Sequence, residues 1–145
     1  MATTIRRRRP VVSAVLLDPT RDVDWTTGLT DVEGDAPMAT GAVVMRHFRG
    51  RVAGRQTVMQ VVEDRVIVLR RDYPFPMVLR YDLERIPEGT LLRVTLIGQI
   101  GLLRRVLLPG SVRRFRRRLF RDLGTLKEMI ETGNESFAPQ LAEAQ

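Results

Sequence analysis

The chain has 145 residues, 43% of them hydrophobic, and a formal net charge of +7. That length suits one domain with a real core. No apolar run reaches the length needed to span a bilayer. The basic start is not followed by the apolar stretch and small-residue site of a secretory signal, so a cytoplasmic protein is expected. There is no cysteine, which excludes disulfides and thiolate chemistry, and His47 is the only histidine. No metal site and no cofactor are therefore expected.

Lys127 is the only lysine among 24 basic residues. If guanidinium geometry were selected site by site, some lysine should survive at tolerant surface positions. Its near absence favours a coding bias towards arginine over a selected anion-binding role. Polyanions should still associate at low salt.

In chain order, residues 2–9 predict a short, basic first strand. Pro10 favours a helix start, and residues 11–17 form an apolar helical run that ends at Asp18-Pro19. Residues 20–25 predict a second short helix with Thr20 as its N-cap. Strand-like segments follow at 29–33, 42–49, 55–63, 65–71, 77–85 and 90–100, separated by turns rich in Gly, Pro and Asp. Short turns between β-rich runs predict an antiparallel meander. Alternation is clearest where Met77, Leu79, Tyr81 and Leu83 oppose Arg80, Asp82 and Glu84. It recurs where Leu92, Val94 and Leu96 oppose Arg93 and Thr95. One face of the sheet should be apolar and the other wet.

Residues 101–132 carry six of the seven net positive charges. Val112, Phe115, Leu119, Leu123, Leu126 and Ile130 fall within about 80° on a helical wheel. Arg113, Arg114, Arg117, Arg118 and Arg121 occupy the other side. One helix is expected from about Leu102, kinked at Pro109 and stopped at Gly133-Asn134. Residues 1–133 should form one domain, with 134–145 a flexible tail. A six-strand meander with one apolar face needs a long apolar helix to cover it. Two short helices can plug the open end, leaving a cavity between sheet and helix.

These residues also carry a family resemblance. Val12–Leu17 runs into Asp18-Pro19, with Trp25 six residues on. Then come Val61-Val62-Glu63, Tyr73-Pro74-Phe75-Pro76-Met77, and Tyr81-Asp82-Leu83-Glu84 with Gly89-Thr90. The arginine-rich helix ends Asp122-Leu123-Gly124-Thr125-Leu126-Lys127. Over about residues 3–132 the chain resembles the SRPBCC superfamily (the START, polyketide-cyclase and birch-pollen-allergen fold), especially its bacterial polyketide cyclase/dehydrase-like members. The resemblance implies an α+β helix-grip fold: a curved antiparallel sheet of about seven strands around a long C-terminal helix, with two short helices after strand 1. It also implies a small hydrophobic ligand of the aromatic polyketide, sterol or fatty acyl type. Ser13 departs from the pattern, standing where an aromatic is usual, which should widen or loosen the cavity base.

The residues expected to line that cavity are Trp25, Met45, His47, Met59, Tyr73, Phe75, Met77, Tyr81, Leu96, Phe115, Leu119 and Leu123. His47 and Tyr81 are the candidates for acid/base or donor chemistry. His47 lines the cavity if Val43, Met45 and His47 face inward; otherwise it is a surface histidine beside Arg46 and Arg49. The aromatics and methionines serve equally as core filling or ligand contacts. No nucleophile triad or phosphate-binding glycine loop is present.

Arg113, Arg114, Arg117, Arg118 and Arg121 are the anion-binding candidates. Their like-charge i,i+4 pairs each cost roughly 0.2–0.5 kcal/mol. Asp122 is the expected internal partner of Arg118. Non-specific binding of nucleic acid or an anionic surface is the alternative function. Sequence-specific recognition is not expected, since no aromatic is expected to stack bases among these arginines. A monomer and a homodimer are both compatible with the sequence.

Overall fold

The structure is a computed structural model and describes residues 1–97 and 109–133. Chain order runs β1 (Ala2–Ile5), α1 (Arg9–Leu16), a 3-10 turn (Pro19–Arg21), α2 (Asp22–Trp25) and β2 (Leu29–Glu33). Then follow β3 (Val43–Phe48), β4 (Val52–Val62), β5 (Val66–Arg71), β6 (Met77–Ile86), β7 (Gly89–Ile97) and α3 (Pro109–Thr132). The expected helix start at Leu102, the strand end at 98–100 and the tail at 134–145 lie outside the described residues.

The seven strands form one antiparallel sheet in the order β1-β7-β6-β5-β4-β3-β2. Strands β2 to β7 are a meander, and β1 returns to pair with β7. The helices between β1 and β2 therefore connect the two sheet edges, and α3 packs against β1, α1 and α2. This is the α+β helix-grip arrangement.

Three local expectations need correction. The first strand stops at Ile5, because Arg6 and Arg7 turn away from the ladder. Thr90 Oγ1 donates to the Arg7 carbonyl there at 2.7 Å. Gly89, at φ +141°, leaves the space a Cβ would take from the Ile5 carbonyl. The cap of the short 3-10 turn is Asp18, not Thr20: Asp18 Oδ1 accepts from Thr20 N at 3.1 Å and Thr20 Oγ1 at 2.6 Å. A carboxylate two residues earlier reaches the unpaired Thr20 amide, which the Thr20 hydroxyl cannot cap itself. Strand β4 begins at Val52, before Arg55, and shifts register between Val58 and Gln60.

The core lies between the inner sheet face and α3. Ile5, Val44, Val58, Ile67, Leu69, Leu79, Leu92 and Val94 come from the sheet. Phe115, Leu119, Leu123, Leu126 and Ile130 come from α3 at i, i+4, i+8, i+11 and i+15. Each such side chain contributes roughly 1.5–3 kcal/mol by leaving water. The helix is also tied at its far end. Lys127 Nζ donates to the Thr4 carbonyl at 2.5 Å, and Arg6 N donates to Glu131 Oε1 at 2.9 Å. Lys127 and Glu131 pair at 3.4 Å.

Candidate functional site

Apolar packing fills the half of the interior under β6 and β7. Under β3, β4 and β5 polar side chains share the inward phase with Val44, Val58, Ile67 and Leu69. Arg46 is 3% exposed, Gln56 0% and Arg71 7%. The register explains the grouping: Gln56 lies opposite both Val44 on β3 and Arg71 on β5, while Arg46 pairs with Gly54. Two more buried polar groups close in from the helices. Asp22 on α2 is 2% exposed and Asp122 on α3 is 6% exposed.

The members are not equally satisfied. Arg71 Nε donates to Gln56 Oε1 at 2.7 Å, and Gln56 Nε2 reaches Met38 Sδ at 3.5 Å. Asp122 Oδ1 accepts from both the amide and the hydroxyl of Thr27. Arg46 fares differently: its Nε and Nη2 are buried and have no hydrogen-bond partner. Asp22 Oδ1, Trp25 Nε1 and Thr26 Oγ1 nearby are in the same condition. The Trp25 indole faces the Asp22 carboxyl too loosely to complete a bond.

Burial raises the Asp22 carboxyl from 3.8 to about 6, against the lowering pull of Arg46 and Arg71. Burial and then the like charge of Arg71 lower Arg46 to about 9, against Asp22, Tyr81 and Asp122. Burial also raises Asp122, outweighing its bonds to Thr27 and the charges of Arg118 and Arg121. Desolvation dominates all three, so the cluster is electrostatically costly in the folded chain.

Above this cluster lies a small mouth of about 30 Å³. Trp25, Phe48, Tyr73 and Phe115 form its aromatic wall, and Arg46, Arg71, Arg118 and Asp122 supply its charges. Phe48 and Tyr73 stack at 4.7 Å with a 41° tilt. Phe75 and Phe115 meet edge to face at 5.4 Å. The Arg46 guanidinium sits 5.4 Å from the Phe48 ring centre. Gly54 makes the wall possible, since a Cβ there would lie 2.8 Å from Tyr73 Cβ. The space holds about one water.

Of the expected cavity residues, Trp25, Phe75, Met77, Tyr81, Phe115, Leu119 and Leu123 lie on the inner side and are buried. Leu96 packs half-buried against the core, and Tyr73 stands half-buried at the mouth. Tyr81 lies close enough to Arg46 to act on its charge. Met45, His47 and Met59 do not line the interior. In β3 the inward phase belongs to Val44, Arg46 and Phe48, so Met45 and His47 face outward. His47 Nε2 lies 3.6 Å from Glu33 Oε1 on that outer face. Met59 follows the inward Gln56 and Val58 in plain alternation, so it faces solvent at 48% exposure.

Arg113, Arg114, Arg117, Arg118 and Arg121 are all exposed. Arg118 does not pair with Asp122 within hydrogen-bond reach; the carboxylate turns to Thr27 instead. Contrary to expectation, an aromatic does lie bare among these arginines: Phe120 is 68% exposed. The residues missed by sequence reasoning are Arg46, Arg71, Gln56 and Asp22. Their signal was phase: Ile67, Leu69 and Arg71 alternate together, as do Val44, Arg46 and Phe48.

The fold is the helix-grip fold. No protein-family model matches the sequence, and no curated protein matches it significantly. The chain is similar in structure to DynU16 from the dynemicin biosynthetic locus, with TM-score 0.72 at 20% identity over 92% of the chain. It spans only 46% of that longer protein. It is also similar to the Aha1 dimer of Colwellia psychrerythraea, with TM-score 0.69 at 14% identity, covering 92% of this chain and 95% of that one. Protein CV1439 of Chromobacterium violaceum has TM-score 0.69 at 14% identity, with 90% and 95% covered.

Proposed function

We propose that this protein binds a small apolar molecule at the mouth between the sheet and α3. The observation that carries the reading is the aromatic wall of Trp25, Phe48, Tyr73 and Phe115 set over unsatisfied buried polar groups. Ligand sites of this kind pair an apolar lining with a few convergent polar atoms. With about 30 Å³ of space, an occupant must displace wall side chains. Phe48 and Tyr73 are only half-buried, so they are the ones that move. Arg46 is the lining donor for any cyclase- or dehydratase-like chemistry, with Tyr81 buried behind it; His47, on the outer face, plays no part. Aromatic polyketides, sterols and fatty acyl compounds are the classes to screen.

Trp25 is the only tryptophan and lines the mouth, so its fluorescence reports occupancy directly. A ligand should quench or shift that emission and raise Tm together. If no compound of these three classes changes either signal, the reading fails.

A second reading rests on Phe120, exposed beside Arg116, Arg117 and Arg121. An apolar ring within a basic face suits an anionic surface. Binding to acidic vesicles that persists at physiological salt and is lost in Phe120→Ser supports it. Loss of all binding at that salt reduces the face to generic electrostatics.

A further inference from the structure

Within the apolar-ligand reading, on which this rests, we infer that the molecule carries a carboxylate or similar flat anionic head, held by the Nε/Nη2 edge of Arg46. The two unpartnered nitrogens of Arg46 are not an arbitrary pair. They share one edge of the guanidinium plane, where two N–H bonds run parallel. That edge is the side-on fork that takes both oxygens of a carboxylate. Arg46 is 3% exposed and lines the mouth, so an anion held by this edge lies within the site and not in bulk water.

The surrounding groups favour an anion there. Asp22 is the obvious internal candidate for the fork, yet its Oδ1 and both Arg46 nitrogens all remain without a partner. Arg71 is already engaged by Gln56, which fixes its second positive charge in place. Arg46 and Arg71 are both buried and repel one another, while Asp122 is already bonded to Thr27 and Asp22 does not close on the Arg46 edge. A buried cation without hydrogen-bonded acceptors is costly, and an acidic ligand head supplies both missing acceptors at once. The apolar body then lies along Trp25, Phe48, Tyr73 and Phe115.

The test compares matched acid and ester probes on the full chain: 2-naphthoic acid with methyl 2-naphthoate, and dodecanoic acid with methyl dodecanoate. Binding is read by Trp25 fluorescence and calorimetry. Each acid should bind about tenfold or more tightly than its ester. In Arg46→Met, with its fold checked by circular dichroism, the acid preference should vanish. Arg46→Lys, which keeps the charge without the fork, should recover only part of the preference. Esters that bind as well as acids to the unaltered protein overturn this inference and leave the apolar-ligand reading intact. So does an acid preference that survives Arg46→Met. If neither member of either pair binds, both readings fall.

Discussion

Arg71 Nε donates to Gln56 Oε1 at 2.7 Å across the β4–β5 ladder, and both side chains are buried. The amide is what allows a guanidinium to sit on the inner sheet face. Gln56→Leu should therefore cost about 1.5–3 kcal/mol in urea unfolding, because a charged donor loses its acceptor out of reach of water. Adding Arg71→Met should restore most of that loss, since removing both partners leaves no orphaned group. A double variant no more stable than Gln56→Leu would contradict this account.

The buried carboxyls set the direction of a pH effect. Asp22 is held at about 6 in the folded protein against an ordinary 3.8. The folded chain thus keeps this proton more tightly than the unfolded chain. The contribution favours folding most below about pH 4 and is lost as pH rises through 6, a change on the order of 3 kcal/mol. Asp122, also raised by burial, acts in the same direction. Stability measured by urea from pH 4 to 7 should fall less steeply in Asp22→Asn than in the unaltered protein. Parallel curves would rule Asp22 out as the source.

Helix α3 offers a contrast within one element. Leu126 is 0% exposed, whereas Phe120 is 68% exposed. Leu126→Ala should cost about 2–5 kcal/mol through lost burial and a cavity. Phe120→Ala should stay within about 0.5 kcal/mol. Thermal unfolding of the two variants checks both numbers.

Lys127 earns its place as the sole lysine by reaching the Thr4 carbonyl at 2.5 Å while pairing with Glu131 at 3.4 Å. Lys127→Met should cost about 1 kcal/mol and loosen the β1 edge. Faster amide exchange in β1, with β4 and β5 unchanged, is the expected readout.

Much of the architecture was legible because period and burial coincide. In β6 the residues Met77, Leu79, Tyr81 and Leu83 alternate cleanly with charges, and all four are buried. In α3 the apolar stripe from Phe115 to Ile130 leaves one face able to meet a sheet. Strand β3 was ambiguous for a physical reason. Val43, Met45 and His47 are no more polar than Val44, Arg46 and Phe48, so hydropathy cannot choose the inward set. In β4 the buried Gly54 and Gln56 share their phase with Val58, so the inward set carries no apolar pattern that would have placed Met59 outside.

The sequence by itself determined the six-strand meander, the covering helix and the apolar face that joins them, because each follows from local spacing and turn chemistry. It also determined that the arginines of α3 point to water. Only the tertiary structure decided that Arg46, Arg71, Gln56, Asp22 and Asp122 share one buried cluster beneath an aromatic mouth. Those residues come from five separate elements. A charged side chain is tolerated inside only when groups distant in sequence arrive to balance it, and that balance exists nowhere along the chain until the sheet closes on α3.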